Sequence, residues 1–353
     1  MKKLEIFCGT GGVGKSTLAA SRALFLARQR RVLLITVDPS KRLKEILSID
    51  EDQKGSPKAV SFSPGDEDIQ LHVLLMCPEA TLQRVFMEKL SSSQITNNIL
   101  KILAGPFGGL HEILALLELQ HHLGSHSYDT IVLDTPPGHH FVDFLSGGER
   151  VHRFFNQNFQ EVFQYLDATL GTKSKASSAG FIRLALQSGI KKLLVYLERM
   201  TGRFFVEDFV DAIRTIYSLK DLFLKAAGLP SQIMTENLAD WFLVTSVEHD
   251  KLTDARHLQQ ELGAFNKTPP RLLINRCTSQ YIKGWHPHET DLIALKNSLI
   301  SREKIILGRA KELFPNYSQF EDINSQSPRK HLEKLLEAWE NQCAVEEGKM
   351  APL

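Results

Sequence analysis

Apolar residues in the first part of the chain concentrate in short runs: Leu4-Glu5-Ile6-Phe7-Cys8, Arg31-Val32-Leu33-Leu34-Ile35-Thr36-Val37, Ile69 to Cys77, and Thr130-Ile131-Val132-Leu133. Each is read as a strand, and Arg31 to Val37, continuously apolar through its middle, as the buried parallel kind that is covered on both faces. Between them the period changes. Apolar positions recur three and four apart after Leu18, through Leu82, Val85 and Phe86 behind the helix start Pro78-Glu79, through Ile95, Ile99 and Ile102, and from Leu110 to Leu123. These are helices with one buried stripe. The polar stretch from Glu51 to Asp68, with Gly55, Pro57, Pro64 and Gly65, reads as a surface connection.

From about Leu145 to Asp240 the strand signal disappears and helical spacing takes over, as in Phe155, Phe159, Val162, Phe163 and Leu166, and again in Phe205, Phe209, Ile213 and Ile216. This stretch reads as a helical insertion, with Gly171 to Gly180 as a mobile loop inside it. Strands resume at Trp241-Phe242-Leu243-Val244-Thr245 and Arg271-Leu272-Leu273-Ile274-Asn275, with a helix over Leu252 to Leu262 between them. Residues 286–353 are expected to add helices, the last near Arg329 to Trp339, before a frayed tail. Strands alternating with helices predict an α/β fold with a doubly wound, mostly parallel sheet. Its expected body is 1–144 with 241–353, and the helical subdomain is 145–240.

Composition narrows the partners. Forty-two Lys and Arg against 41 Asp and Glu leave a formal charge of +1, which offers no field for nucleic acid. Cys8, Cys77, Cys277 and Cys343 lie far apart with no C-x-x-C, so no zinc or iron–sulfur scaffold is expected. Met1-Lys2-Lys3 resembles the start of a signal peptide, but the apolar stretch after it is short and ends in glycines. No apolar run approaches the roughly 18 residues of a membrane span. A cytoplasmic protein is expected.

The chemistry collects at strand ends. The first strand runs into Gly9-Thr10-Gly11-Gly12-Val13-Gly14-Lys15-Ser16-Thr17, a complete G-x-x-x-x-G-K-[ST] pattern between a strand and a helix, which predicts the P-loop NTPase type of sheet. Backbone N–H groups of Gly11 to Thr17 would cradle phosphate oxygens at the positive end of the helix, Lys15 would reach the terminal phosphates, and Ser16 would offer its hydroxyl to Mg²⁺. Asp38, at the end of the second strand, can orient an attacking water or hold a Mg²⁺-bound one; an Asp-Pro turn capping the next helix looks the same in sequence. Asp134 closes an apolar strand in the manner of a Walker-B carboxylate, and Gly138 in Thr135-Pro136-Pro137-Gly138 can bring an N–H to a γ-phosphate. His139 and His140, with His121, His122 and His126 nearby, and His286-Pro287-His288 show no metal-ligand spacing.

The succession Gly-Gly-Val-Gly-Lys-Ser, Val-Asp-Pro-x-x-x-Leu and Asp134-Thr135-Pro136-Pro137-Gly138-His139 resembles the arsenite-transport and tail-anchored-protein targeting ATPase family, a dimer-forming branch of the deviant Walker-A ATPases. Cys77-Pro78-Glu79-Ala80, Pro106 to Glu112, and Glu248-x-x-x-Leu252-x-Asp254-x-Arg256-x-Leu258 are similar to further family segments. The resemblance implies ATP and Mg²⁺ as ligands. It makes Asp38 the water-activating residue, Lys15 and Ser16 the phosphate and metal ligands, Asp134 the switch carboxylate, Asn275 an adenine-recognising residue, and the helical insertion the client- or partner-binding region.

Two departures stand out. Thr10 occupies the place of the family's first loop Lys, which reaches a partner subunit's phosphates, and Asp38-Pro39-Ser40-Lys41 replaces Asp-Pro-Ala-His. Either Lys41 or Arg42 replaces the lost cation, or a related subunit supplies it in a heterodimer. The expected function is therefore an ATP-hydrolysing switch, slowed by Thr10, acting as a homodimer or heterodimer; the alternative is a catalytically weak nucleotide-sensing subunit. Residues 141–242 hold twelve of the 20 phenylalanines, which suits either a groove for apolar helices or plain packing. The absent C-x-x-C argues against an iron–sulfur carrier, the end of the chain is not a basic amphipathic helix of the kind membrane-bound spatial regulators carry, and no cysteine cluster offers arsenite a thiolate site.

Overall fold

The computed structural model describes residues 3–38, 41–47, 49, 54–65, 67–89, 110–155, 215–235, 238–263, 269–323, 325 and 327–346. The helix expected around Ile95 to Ile102, most of the phenylalanine-rich segment with the loop expected at Gly171 to Gly180, and the tail expected to fray, from 347, lie outside these residues.

The chain divides into two compact units. The first comprises Met1–Met76, His121–Leu145 and Pro230–Leu353, and the second Cys77–Gln120 and Ser146–Leu229.

The first unit holds one eight-stranded sheet. In chain order its strands are β1 (Leu4–Gly9), β2 (Val32–Thr36), β3 (Lys58–Phe62), β4 (Ile69–Leu75), β5 (Thr130–Asp134), β6 (Ala239–Ser246), β7 (Arg271–Cys277) and β8 (Tyr317–Glu321). Across the sheet the order is β3-β4-β2-β5-β1-β6-β7-β8. All neighbours are parallel except β3 and β4. β1, β2 and β5 are buried at every position, Glu5 of β1 included, as strands covered on both faces are.

Two strands depart from the expectation. β3 lies within the stretch read as a surface connection, and β8 within the stretch read as helical. Both are edges of the sheet. An edge strand is flanked on one side only, and β3 buries just Phe62 while β8 buries Ser318 and Phe320, so neither needs the apolar run that marks a central strand.

The helices of this unit include α1 (Lys15–Ala27), α2 (Lys41–Leu47), α8 (His249–Leu262), α9 (Ser279–Gly284), α10 (Thr290–Leu313) and α11 (Pro328–Glu346). α1 presents Leu18, Ala19, Ala20, Ala23 and Leu24 to the core, all fully buried, and the small alanines let its axis lie close to the sheet. α11 packs beside it. Phe7 stacks on Phe242 with centroids 4.8 Å apart, and Trp339 of α11 closes this cluster edge-on while its indole N–H donates to Ser21 Oγ at 3.0 Å.

One charged pair lies inside this core. Glu5, the second residue of β1, accepts two hydrogen bonds of 2.9 Å from Arg22 of α1. The guanidinium carbon also lies 4.9 Å from the centroid of the Trp339 ring. A fork-to-fork pair satisfies both charges where neither is solvated, and it locks the rotation of α1 about its axis.

The second unit contains α3 (Pro78–Lys89), α4 (Leu110–Ser125) as far as Gln120, α5 (His139–Phe154) from Ser146 onward, and α6 (Lys220–Ala227), with α7 (Leu229–Thr235) starting at its end. Glu118, 3% exposed, takes hydrogen bonds of 2.8 Å from Thr81 and from Arg84, tying α4 to α3. Gly148 meets the carbonyl of Ala227 so closely that no Cβ fits. That contact lets α5 and α6 touch backbone to backbone.

No helix among the described residues is long and apolar enough to cross a membrane.

Candidate functional site

The parallel strands end together, and their register sets the candidate residues in a row. Phe7 and Thr36 both stand opposite Asp134, Gly9 stands opposite Val244, and Ser246 opposite Asn275. The loop 10–14 leaves β1 in the middle of this row and enters α1.

The start of α1 carries no cap of its own. Its N-cap is Gly14, in the left-handed region at φ 88°, with no side-chain cap hydrogen bond and no acidic residue in the first turn. The first N–H groups of α1 are thus left for an external acceptor, at the positive end of the helix dipole. Glycine is required at 14 for a second reason, since a Cβ there would strike the amide nitrogen of Asn275. That amide donates to the Val13 carbonyl at 2.9 Å and braces the loop from the β7 side. Gly11 and Gly12 are exposed, and nothing lies within 4 Å of where their Cβ atoms would stand.

On the β5 side Lys15 is drawn inward. Its Nζ lies 2.5 Å from Asp134 Oδ1 and also donates to the Thr135 carbonyl. The second oxygen of Asp134 accepts from the Thr36 hydroxyl at 2.9 Å. Thr135 in turn donates its hydroxyl to the Phe7 carbonyl at 2.8 Å, and the Gly138 N–H donates to the Gly9 carbonyl at 2.9 Å. The loop after β5 is therefore stitched to the end of β1 by both elements flanking its prolines.

Of the expected site residues, Gly11 to Lys15, Asp134, Gly138 and Asn275 are gathered in one place. Ser16 and Thr17 stand half-buried in the first turn of α1. Asp38 is one residue beyond Val37, whose N–H donates to the Asp134 carbonyl at 3.1 Å, but the Asp38 side chain is exposed, and it is Asp134 that holds Lys15. The side chains of Lys41, Arg42 and His139 lie outside the described residues, as do Pro39 and Ser40. Thr10 has a buried hydroxyl with no hydrogen-bond partner.

Thr36 and Thr135 were not among the residues singled out by sequence. A hydroxyl at the polar end of an otherwise apolar strand, two positions before Asp38, is the signal that would have found Thr36. Cys8, beneath the loop, donates to the Phe242 carbonyl at 3.4 Å, and burial pushes its thiol from 9.0 up to about 12 despite the opposing pull of Lys15. It is an inert packing thiol.

No group of three or more His, Cys, Asp or Glu side chains that could cage a metal occurs among the described residues. Mg²⁺ in phosphate sites takes one or two protein oxygens and completes its shell with water and substrate. Ser16 and Asp134 fit that mode.

The comparisons agree with this geometry. The family model described as anion-transporting ATPase matches residues 2–180. Among curated relatives, the ATPase get3 of Botryotinia fuckeliana is 33% identical over 275 residues, covering 76% of this chain and 70% of that protein. The ATPase get3 of Schizosaccharomyces japonicus is 24% identical over 282 residues, covering 76% and 72%. The ATPase GET3 of Mycosarcoma maydis is 31% identical over 139 residues, covering 39% of this chain and only 40% of its own length. An uncapped phosphate loop at the head of a parallel sheet, together with these matches, assigns the chain to the anion-transporting ATPase family.

Proposed function

We propose that the chain is a Mg²⁺-dependent ATPase whose nucleotide state is relayed to a partner bound on the insertion expected at 145–240. The observation that carries this reading is the position of Lys15, held out of solvent between Asp134 and Thr135 at the foot of an uncapped helix. An ammonium group kept there is poised to exchange one anion for another.

In this reading the N–H groups of Gly11 to Thr17 take the phosphate chain, and Lys15 transfers from Asp134 to the terminal phosphate oxygens. Ser16 and Asp134 would hold Mg²⁺, which neutralises charge on the phosphate oxygens. Asp38, exposed at the end of β2, orients a water in line with the γ-phosphorus and accepts its proton as the bond to the leaving diphosphate breaks. The Gly138 N–H, engaged with Gly9, must leave that carbonyl to reach a γ-phosphate. Exchange of that bond is the switch, and it moves α5, which begins at the next residue. Asn275 lies on the nucleoside side of the loop.

A second reading rests on Thr10. A neutral side chain with an unpartnered hydroxyl stands where the resemblance expects a lysine, which favours a catalytically weak nucleotide-sensing subunit within a heterodimer. Such a charge is worth about 10³-fold or more in phosphoryl transfer.

Calorimetry with ATP and Mg²⁺, paired with phosphate release by the wild type and Asp38→Asn, separates the readings. Binding with turnover lost in Asp38→Asn supports the ATPase; binding without turnover in either supports the sensing subunit. No binding overturns both. For the partner, capture by Asp38→Asn protein should differ between ATP with Mg²⁺ and ADP, and identical capture rejects the coupling.

A further inference from the structure

Arg276 is left unused by the roles above, and its backbone is out of the ordinary. It is one of two non-glycine residues with positive φ among the described residues, at 59°; the other, His126, lies in the exposed connection between α4 and β5. It sits where the pairing of β7 with β8 slips between Ile274 and Cys277. A bulge beside a site re-aims a side chain, and a long side chain held in the left-handed region persists only where its surroundings enforce it.

The location is informative. Asn275, the preceding residue, touches Val13 and crowds Gly14 in the phosphate loop. Lys15, Asp134 and Thr135 mark the opposite, β5 side of that loop. If the terminal phosphate faces Lys15, the nucleoside leaves the loop toward the ends of β6 and β7. Arg276 and Glu248 stand there, on the segments that follow β6 and close β7. Their side chains are 42% and 54% exposed, and Nη1 lies 3.8 Å from Oε1, too long for a hydrogen bond but close enough to orient the guanidinium.

We propose that Arg276 is a nucleobase-binding residue: its guanidinium plane, oriented by Glu248, stacks on the purine of the nucleotide held by the Gly9–Thr17 loop. A planar, weakly hydrated cation is suited to a π-face in a way that a lysine ammonium is not. This inference rests on the nucleotide reading above.

The test compares ATP with inorganic tripolyphosphate, each with Mg²⁺, by calorimetry on the full chain. Arg276→Ala should weaken ATP about tenfold, between the values for an exposed and a desolvated cation–π contact, and leave tripolyphosphate unchanged. Arg276→Lys should also weaken ATP, since charge without a plane does not stack. Arg276→Gly suits the positive φ, so its melting temperature should hold or rise while its ATP affinity falls. Unchanged ATP affinity in Arg276→Gly overturns the proposal, as does an equal loss of ATP and tripolyphosphate in Arg276→Ala, which would mean that the residue only supports the loop. A wild type that binds tripolyphosphate but not ATP sinks the base contact alone. One that binds neither sinks the nucleotide reading with it.

Discussion

Lys15 and Asp134, 119 residues apart in the chain, meet at 2.5 Å with side chains only 9% and 1% exposed. The pair is satisfied as it stands, by the Thr36 hydroxyl on one partner and the Thr135 carbonyl on the other. Any anion that claims Lys15 frees the Asp134 carboxylate at the same moment. That reciprocity links the phosphate loop to the loop after β5.

Removing one partner strands the other. Lys15→Ala leaves a buried carboxylate with a single hydroxyl donor, and the expected cost is about 3 kcal/mol of stability, the lower end for a broken buried pair. Nucleotide binding should be lost as well. Urea denaturation and calorimetry read the two effects separately.

Gly14 and Asn275 should be coupled. Gly14→Ala adds a clash with the Asn275 amide to the strain of a positive φ. Asn275→Ala removes the clash but not the strain, so the double mutant should recover about 1 kcal/mol relative to the sum of the singles. A double-mutant cycle on unfolding free energies checks it, and strict additivity would mean that the amide can move aside.

The brace behind α1 should matter for stability more than chemistry. Trp339→Phe keeps the aromatic packing but removes the indole donor to Ser21, whose hydroxyl still donates to the Leu18 carbonyl, an expected loss of about 1 kcal/mol. Arg22→Ala leaves Glu5 charged and buried, at a cost of about 3 kcal/mol or more. Chemical denaturation should rank the two in that order.

The buried thiols set an alkaline limit. Burial pushes Cys8 from 9.0 up to about 12, and burial, with Glu303 second, does the same for Cys277. Between those values the unfolded chain has lost the thiol protons and the native state has kept them, so stability falls as pH rises from about 9 toward 12. Cys8→Ala should flatten this decline in melts taken across that range. At pH 8 the native Cys8 should resist iodoacetamide and react on unfolding, which peptide mass spectrometry detects.

Charge restored at position 10 tests the slow-turnover reading. Thr10→Lys should raise phosphate release at unchanged ATP affinity if this chain's deficit is the missing cation. Rates equal to wild type would place the deficit elsewhere.

What the amino-acid order determined alone was whatever depends on neighbours: the buried runs of β1, β2 and β5, the helix starts at Pro78 and after Gly14, and the phosphate loop with its acidic strand ends. Periodicity and turn chemistry are local, so they are legible without knowing what a segment packs against. Tertiary structure decided the rest. β3 and β8 are strands because they pair at the margins of an existing sheet, Lys15 is held because β5 inserts beside β1, and Asn275 braces Val13 across 262 residues of chain. The bulge that turns Arg276 exists only where β7 and β8 meet. Such contacts depend on which distant segments the closed chain brings together, a fact that no window of sequence contains.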